Sequence, residues 1–217
     1  MFTDKQVVKD ALRGSTEEVT AALAWVGPKG QHVDPTTEDN HAVRLAACGG
    51  CLEVVRAFLA WVGEGELQGL RVDPTTGQNC AVRSAASRNH VEVVRLLLEW
   101  VGQGTLEGKR VDPTAVNEEA VWWAAEKGHV GVFRVLLDWV GQGTLEGKRV
   151  GIEDVRGAAG ALWVEIRPVF DEAERARAEW RPTRVAWIGA VVRAGFSRRL
   201  SAPGGGAGAG AEIGLRL

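Results

Sequence analysis

Apolar residues fall at helical spacing in pairs of short segments along the chain through residue 150. In the first clear pair, residues 40–47 carry a small face of alanine and valine, and residues 52–61 place valine, phenylalanine and leucine about one turn apart. Glu53 and Arg56 point away from that second apolar stripe. The pattern predicts a short helix, a turn at Gly49 and Gly50, and a second helix.

This pair of segments recurs at a constant spacing. The tripeptide Val-Asp-Pro occurs at 33–35, 72–74 and 111–113, each 39 residues after the last, and residues 40–47 realign with 79–86. Residues 100–111 recur letter for letter at 139–150, which indicates tandem duplication. Two short helices cannot bury their apolar faces alone, so the units are expected to stack as an all-α solenoid.

Each unit carries local signals that predict its parts. Asp34-Pro35-Thr36 has the composition of a turn, and Asn40 is expected to cap the first helix. The alanine pairs at 46–47, 85–86 and 124–125 permit close approach of the first helices, and the leucine pairs at 97–98 and 136–137 should fill the space between second helices.

The segment 85–98, with its alanine pair, Asn89-His90 turn and valine-leucine second helix, resembles an ankyrin repeat, and residues 124–137 repeat it with Gly128-His129 in place. The resemblance covers roughly residues 5–150 and implies an ankyrin-type α-solenoid of stacked helix-turn-helix repeats with extended finger loops. Two departures stand out. The family's Thr-Pro-Leu-His is replaced by His-Ala-Val-Arg at 41–44, and the period is 39 where the family's is 33, with the extra length in the finger.

These boundaries predict four regions. Residues 1–33 form a shorter N-terminal capping repeat, followed by three ankyrin-like repeats at 34–72, 73–111 and 112–150. The period fails after Val150, and residues 151–200 are either a degenerate C-terminal cap or a decayed repeat, including one read from a shifted frame. Residues 201–217 are expected to be a flexible, Gly/Ala-rich tail.

Composition narrows the class of protein further. The 217 residues are 45% hydrophobic with a formal net charge of -2 and lack a long apolar run, so we expect neither nucleic acid nor membrane as a partner. The first ten residues carry charges where a signal peptide needs its apolar core, and three cysteines suit a reducing compartment. We expect a cytoplasmic monomer, with the nucleus left open.

Cys48-Gly-Gly-Cys51 is the sharpest chemical motif. It could be structural, act as a redox pair or supply half a zinc site, and we favour the structural role because Cys51 stands where His90 and His129 stand in later repeats. Those histidines are expected to brace turns. No nucleophile stands beside a base and no phosphate-binding loop follows a strand, so we expect no enzyme, catalytic residue, cofactor or metal.

Tryptophans recur at one position, the end of each second helix, at residues 25, 61, 100 and 139. They are expected to form an internal ladder under the fingers, with an exposed stripe for a partner as the alternative. Trp122 and Trp123 differ, because they replace Arg83 and Ser84 of the preceding repeat. Either they pack against residues from 151 onward or they form a hot spot on the inner face.

The resemblance implies a non-catalytic module that binds a protein partner through the first-helix face and the finger loops. Carried over position by position, its contact residues are Thr37, Glu38, Asn40, Thr76, Asn79, Ser87, Arg88, Glu118, Trp122, Glu126 and Lys127. Two alternatives are a repeat-family fragment without independent function and a thiol switch at Cys48 and Cys51.

Overall fold

The computed structural model describes residues 3–150, 167–169, 171–172 and 175, and the part up to residue 172 belongs to one compact unit, Met1–Ala173. The expected C-terminal cap or decayed repeat and the Gly/Ala-rich tail lie outside the described residues, apart from those few positions. Its helices are α1 Asp4–Arg13, α2 Thr16–Leu23, α3 Thr37–Gly49, α4 Leu52–Ala60, α5 Thr76–Ser87, α6 Val91–Glu99, α7 Ala115–Glu126 and α8 Val130–Asp138.

The helices pair and stack as the repeat pattern predicts. In each unit the first helix contacts the second, and the first helices α1, α3, α5 and α7 contact one another in chain order. The second helices α2, α4, α6 and α8 do the same. The described chain through residue 150 is therefore an all-α solenoid of helix-turn-helix repeats, which confirms the expected fold class.

The core runs continuously along the stack. The alanine pairs of the first helices are fully buried, which lets α3, α5 and α7 approach closely. Leu97, Leu136 and Phe133 are fully buried between the second helices, whereas Leu98 is only partly buried against the same core. Val169 joins this core from beyond the last complete repeat.

The first helix of each repeat opens with a left-handed turn that the sequence did not predict. Glu38, Asp39 and Asn40 have φ of 53°, 58° and 56°, and residues 77–79 and 116–118 adopt the same conformation. Asn40 is therefore not the N-cap that we expected, because a cap residue adopts an extended conformation and bonds its own helix. Each left-handed residue other than glycine costs about 1–2 kcal/mol, so neighbouring groups must hold these turns.

The fingers are narrow hairpin-like loops. Antiparallel bridges join Val62 to Arg71 and Val101 to Arg110, and a 3₁₀ turn at Gly65–Leu67, Gly104–Leu106 or Gly143–Leu145 fills each loop. The Thr105 hydroxyl donates to the Gly69 carbonyl at 3.5 Å, and Thr144 donates to Gly108 at 3.3 Å. These bonds place neighbouring fingers side by side.

Replacing Leu97 with alanine should lower the free energy of unfolding by about 2–5 kcal/mol, because a fully buried leucine leaves a cavity. Leu98→Ala, on the same helix but only partly buried, should cost distinctly less. Chemical denaturation of both variants measures the difference. Equal losses would contradict the assigned core.

Candidate functional site

In the first two repeats the left-handed turn is held by the arginine that ends the motif Asn-x-Ala-Val-Arg. Arg44 Nη2 donates to the Glu38 carbonyl at 3.1 Å. Arg83 does more, donating from Nη2 to the Gly77 carbonyl at 3.1 Å and from Nε to the Gln78 carbonyl at 3.2 Å. These bonds satisfy carbonyls of the turn, and the motif that departs from Thr-Pro-Leu-His therefore has a structural role.

A side-chain oxygen at the start of α1, α3 and α5 links each of these units to the next. Asn40 Oδ1 accepts the backbone N–H of Asp73 at 2.9 Å, and Asn79 Oδ1 accepts that of Asp112 at 2.9 Å. In the N-terminal unit the carboxylate of Asp4 accepts the N–H of Asp34 at 2.9 Å. The same bond thus recurs three times, with a carboxylate in place of the amide at its first occurrence.

The aspartate that receives this bond also organises the turn that opens its repeat. Asp73 Oδ1 accepts the N–H and the hydroxyl of Thr75 at 2.9 and 2.6 Å, as the turn prediction expected of this position. Its other oxygen, Oδ2, accepts Lys109 Nζ from the next finger at 2.6 Å. Asp112 repeats the arrangement with Lys148 at 2.7 Å.

Burial alone would raise the pKa of Asp73, but the hydrogen bonds from Lys109 and Thr75 and the charge of Lys109 outweigh it and hold the pKa below its usual value. The pKa of Asp112 is lowered in the same way, with burial again opposed by hydrogen bonds from Lys148 and Thr114 and by the charge of Lys148. Both carboxylates therefore stay ionised near neutral pH.

His90 and His129 connect repeats at the opposite end of the first helix. His90 Nε2 lies 3.1 Å from the Cys48 carbonyl, and His129 Nε2 lies 3.3 Å from the Ser87 carbonyl. The His90 ring packs on Gly50, which ends α3 with a φ of 72° and where a Cβ would overlap the ring. The histidines brace the turns of neighbouring repeats as expected.

Cys51 takes the place of these histidines one repeat earlier. A Cβ on Gly14 would lie 2.7 Å from Cys51 Sγ, so the thiol packs on the glycine turn of the N-terminal unit. Burial raises the pKa of the Cys51 thiol. The thiolate is the reactive form of cysteine, so this environment favours a packing role over a redox role.

An interlocked polar and aromatic cluster covers the first helices of the second and third repeats. Arg83 pairs with Glu119 across the repeats, and Glu119 Oε1 accepts the indole N–H of Trp123 at 3.0 Å. The hydrogen bond from Trp123 lowers the pKa of Glu119. Burial opposes this shift, and the hydrogen bond and charge of Arg83 lower the pKa further. Lys127 Nζ lies 4.9 Å from the centroid of the Trp123 ring, a cation–π contact.

Trp122 is the exposed member of this region. Its side chain is 38% exposed, and its ring meets that of Trp123 edge to face with centroids 4.7 Å apart. It occupies the position that Arg44 and Arg83 occupy in the first and second repeats. The third repeat therefore presents an aromatic surface where its neighbours present a guanidinium bound to the turn.

The structure divides the sequence-predicted contact residues into three groups. Asn40, Asn79 and Thr76 bond to a neighbouring repeat, with the Thr76 hydroxyl donating to the Asp39 carbonyl at 3.0 Å. The carbonyl of Ser87 is likewise used, accepting Lys127 Nζ at 3.0 Å. Exposed positions on the turns and the helix ends are Glu38, Arg88, Trp122, Glu126 and Lys127.

Thr37 and Glu118 are the remaining two. Both are half-buried at the opening turns, where the Thr37 hydroxyl donates to the Asp34 carbonyl at 3.3 Å. Sequence reasoning missed Arg83, Glu119 and Trp123 as a linked set. A signal existed, because Arg83 and Glu119 have opposite charges and stand close to one repeat apart, 36 residues.

The tryptophan ladder is neither fully internal nor fully exposed. Trp25, Trp61 and Trp100 pack against the core while remaining half-buried, and Trp139 is half-buried at the equivalent position. Each is followed by an exposed valine, such as Val101 at 44%. The ladder thus supports the fingers and leaves part of each indole accessible.

Among the residues that the structure describes, no group of three or more His, Cys, Asp and Glu side chains could hold a metal ion. Within the same residues, no helix has the length and apolarity required to cross a bilayer.

Stacked helix-turn-helix units with interlocking turns and projecting fingers define the α-solenoid class. Residues 43–146 match the family model described as ankyrin repeats (3 copies). This part of the chain consists of ankyrin repeats. No curated protein and no solved structure matches it.

Replacing Asn79 with alanine should lower the free energy of unfolding by about 1–3 kcal/mol, because the partly buried N–H of Asp112 loses its acceptor. Asn79→Asp keeps an acceptor at this position, as Asp4 does in the N-terminal unit, and should cost less. Urea denaturation compares the two. A larger loss for the aspartate variant than for alanine would count against the inter-repeat bond.

The lysine–aspartate pairs should make stability depend on acid pH. Because the folded pKa values of Asp73 and Asp112 are lowered, their contribution is complete above the ordinary value of about 4 and is lost as pH falls through the folded values. Lys109→Met with Lys148→Met should cost about 0.5–1 kcal/mol per pair at pH 7. The difference in unfolding free energy between wild type and variant should be smaller near pH 3 than near pH 7, and a constant difference would contradict the pairing.

Proposed function

We propose that this chain is a non-catalytic protein-binding module whose partner contacts the ends of the first helices and the adjoining opening turns. Ankyrin repeats are generally protein–protein interaction modules, which supports the general role. The surface is made by Glu38, Arg88, Trp122, Glu126 and Lys127, and we name it the inner face. Most other predicted contact residues are used to join repeats.

The observation that carries this proposal is the preorganised aromatic group on the third repeat. Trp123 is held by Glu119 and Lys127, and Trp122 packs against Trp123 while 38% of it stays exposed. Because these side chains are already fixed, a partner that covers Trp122 would lose little of its binding energy to ordering them. Exposed tryptophans and arginines are also the side chains most enriched among binding hot spots.

The inner face is graded along the stack. The first repeat ends its first helix with Cys48 and Gly49, the second with Ser87 and Arg88, and the third with Glu126 and Lys127. We therefore expect the second and third repeats to contribute most of the binding free energy, and the small side chains of the first repeat to contribute little of it. The expected monomeric state is part of this proposal, because a single stack carries the whole face.

The thiol switch has less support than the binding role. Cys51 packs on Gly14, and burial raises the pKa of its thiol, which lowers the fraction of reactive thiolate at neutral pH. If the chain is instead a repeat-family fragment without a partner, affinity capture should enrich no protein that binds it directly.

The proposal is tested by quantitative affinity capture from cell extract, followed by direct titration of each enriched protein in purified form. The test variant is Arg88→Ala with Trp122→Ala, which removes two exposed side chains. The matched control is Arg56→Ala, an exposed arginine on a second helix that forms an ion pair with Glu53 at 3.6 Å. We expect the double variant to weaken the partner at least about tenfold and the control to leave it unchanged.

Two results would contradict the proposal. One is a partner that binds wild type and the Arg88/Trp122 variant equally. The other is the absence of any protein that binds directly after enrichment, which would favour the fragment alternative. Matching circular dichroism spectra and denaturation midpoints for all three proteins show that any loss is not due to unfolding.

A further inference from the structure

The ion pair on the third repeat shows how the stack holds a carboxylate on its first helices. Arg83 reaches Glu119 from the preceding repeat, and the indole N–H of Trp123, one turn further along α7, donates to the same carboxylate at 3.0 Å. The other nitrogens of Arg83 donate to carbonyls of its own turn, which leaves Nη1 for the carboxylate. One donor from the previous first helix and one from the same helix therefore hold Glu119.

The second repeat has both kinds of donor but no carboxylate. Thirty-nine residues earlier, Arg44 stands for the arginine, Ser84 for the tryptophan and Cys80 for the glutamate. The Ser84 hydroxyl lies 3.6 Å from Cys80 Sγ, one turn along α5. A thiol is a weak hydrogen-bond acceptor, and cysteine and serine are shorter than glutamate and tryptophan. The two donors are therefore present without the strong acceptor that they have one repeat later.

Arg44 makes fewer bonds than Arg83. Within the part of the chain that the structure describes, its guanidinium makes one hydrogen bond, from Nη2 to the Glu38 carbonyl at 3.1 Å. Nε is buried and has no acceptor there. The Asp39 carbonyl, whose counterpart accepts Arg83 Nε, accepts the Thr76 hydroxyl at 3.0 Å instead. The positive charge of Arg44 is thus less compensated than that of Arg83.

Arg44 Nη1 and Cys80 border the same small space. A Cβ on Gly77 would lie 3.3 Å from Arg44 Nη1 and 3.2 Å from Cys80 Cβ, and glycine adds no side chain between them. Arg44 and Cys80 are each partly exposed. The carboxylate of Glu38, in the turn that Arg44 bonds, lies 3.2 Å from His41 Nδ1. A carboxylate from another molecule can therefore approach the guanidinium at this point.

A second cation follows on the same side of α5. Cys80, Ser84 and Arg88 are spaced four residues apart, so their side chains lie along one line of the helix. Arg88 is exposed. Four residues of helix rise about 6 Å, close to the roughly 6.5 Å between alternate residues of an extended chain. In the third repeat the lysine at this position already contacts a carbonyl and an indole ring.

We propose that the partner of the inner face is an extended acidic segment that places one carboxylate between Arg44 and Ser84. This carboxylate accepts from Arg44 Nη1 and from the Ser84 hydroxyl, as Glu119 accepts from a guanidinium and an indole. The acidic residue two positions along the segment pairs with Arg88. The inference rests on the binding role proposed above and specifies the chemistry of the partner.

The first test needs no partner, because Cys80→Glu supplies the carboxylate from within the chain. Cys80→Gln is the matched control of the same size without the charge. The folding equilibrium constant of the glutamate variant should exceed that of the glutamine variant about 1.5- to 5-fold, the range of a partly exposed ion pair. The difference should disappear when Arg44→Gln is added to both. Urea denaturation measures the four proteins. No gain for glutamate, or a gain that persists without Arg44, overturns the proposal.

The second test is fluorescence polarisation with the full chain and a fluorescein-labelled peptide of six Glu-Ser pairs. Wild type should bind it at least about tenfold more tightly than the same peptide with glutamine for glutamate, since charge-assisted hydrogen bonds are the stronger ones. Cys80→Glu should weaken binding at least about fivefold, because it fills the place of the ligand carboxylate. Cys80→Ser leaves that place open and should bind like wild type, as should Arg56→Ala on a second helix.

Three results of the peptide titrations overturn the proposal: no saturable binding to wild type up to about 1 mM peptide, equal binding of the glutamine peptide, or equal binding by Cys80→Glu and Cys80→Ser. The binding role itself is judged separately, with the partner that affinity capture identifies. A purified partner that is lost with the Arg88/Trp122 variant but binds Cys80→Glu as tightly as wild type contradicts the acidic-segment proposal alone and leaves the binding role in place.

Discussion

One hydrogen bond determines how the repeats of this stack are joined at their openings. At three places a side-chain oxygen at the start of a first helix accepts the backbone N–H of the aspartate that opens the next repeat. The acceptors are Asp4, Asn40 and Asn79. The bond ties a turn of one repeat to a turn of the next, so neither can move alone. At Asn40 and Asn79 the acceptor lies in a left-handed turn, whereas Asp4 accepts the same bond without one.

Much of the fold could be predicted because the repeat is visible in the amino-acid sequence. The 39-residue period, the alanine pairs and Leu97 identified the helices and the core, and the recurrence of His90 and His129 indicated braced turns. The left-handed openings could not be predicted, because local propensity treats Asn40 as a cap and places no β-branched residue such as Val116 at positive φ. In the first two repeats Arg44 and Arg83 bond the carbonyls of these turns, and those contacts form only when the helix and its turn are both in place.

The candidate site was predicted less well than the fold for a related reason. A family pattern assigns contact residues by position, but Asn40, Asn79 and Thr76 form hydrogen bonds to a neighbouring repeat. Position alone therefore did not distinguish residues that join repeats from residues that can contact a partner. In the third repeat Trp122 replaces the arginine that holds the turn, and the side chain is partly exposed. The same substitution therefore removes a structural contact and adds aromatic surface, which places the binding proposal on the later repeats.

Amide hydrogen exchange of the N–H groups of Asp73 and Asp112 tests the account most directly, because these two amides donate the bonds that join the repeats. The account predicts strong protection for both, comparable to amides inside α5, although each residue lies outside a helix. Exchange of both amides as fast as that of the exposed finger residue Gly104 would contradict it.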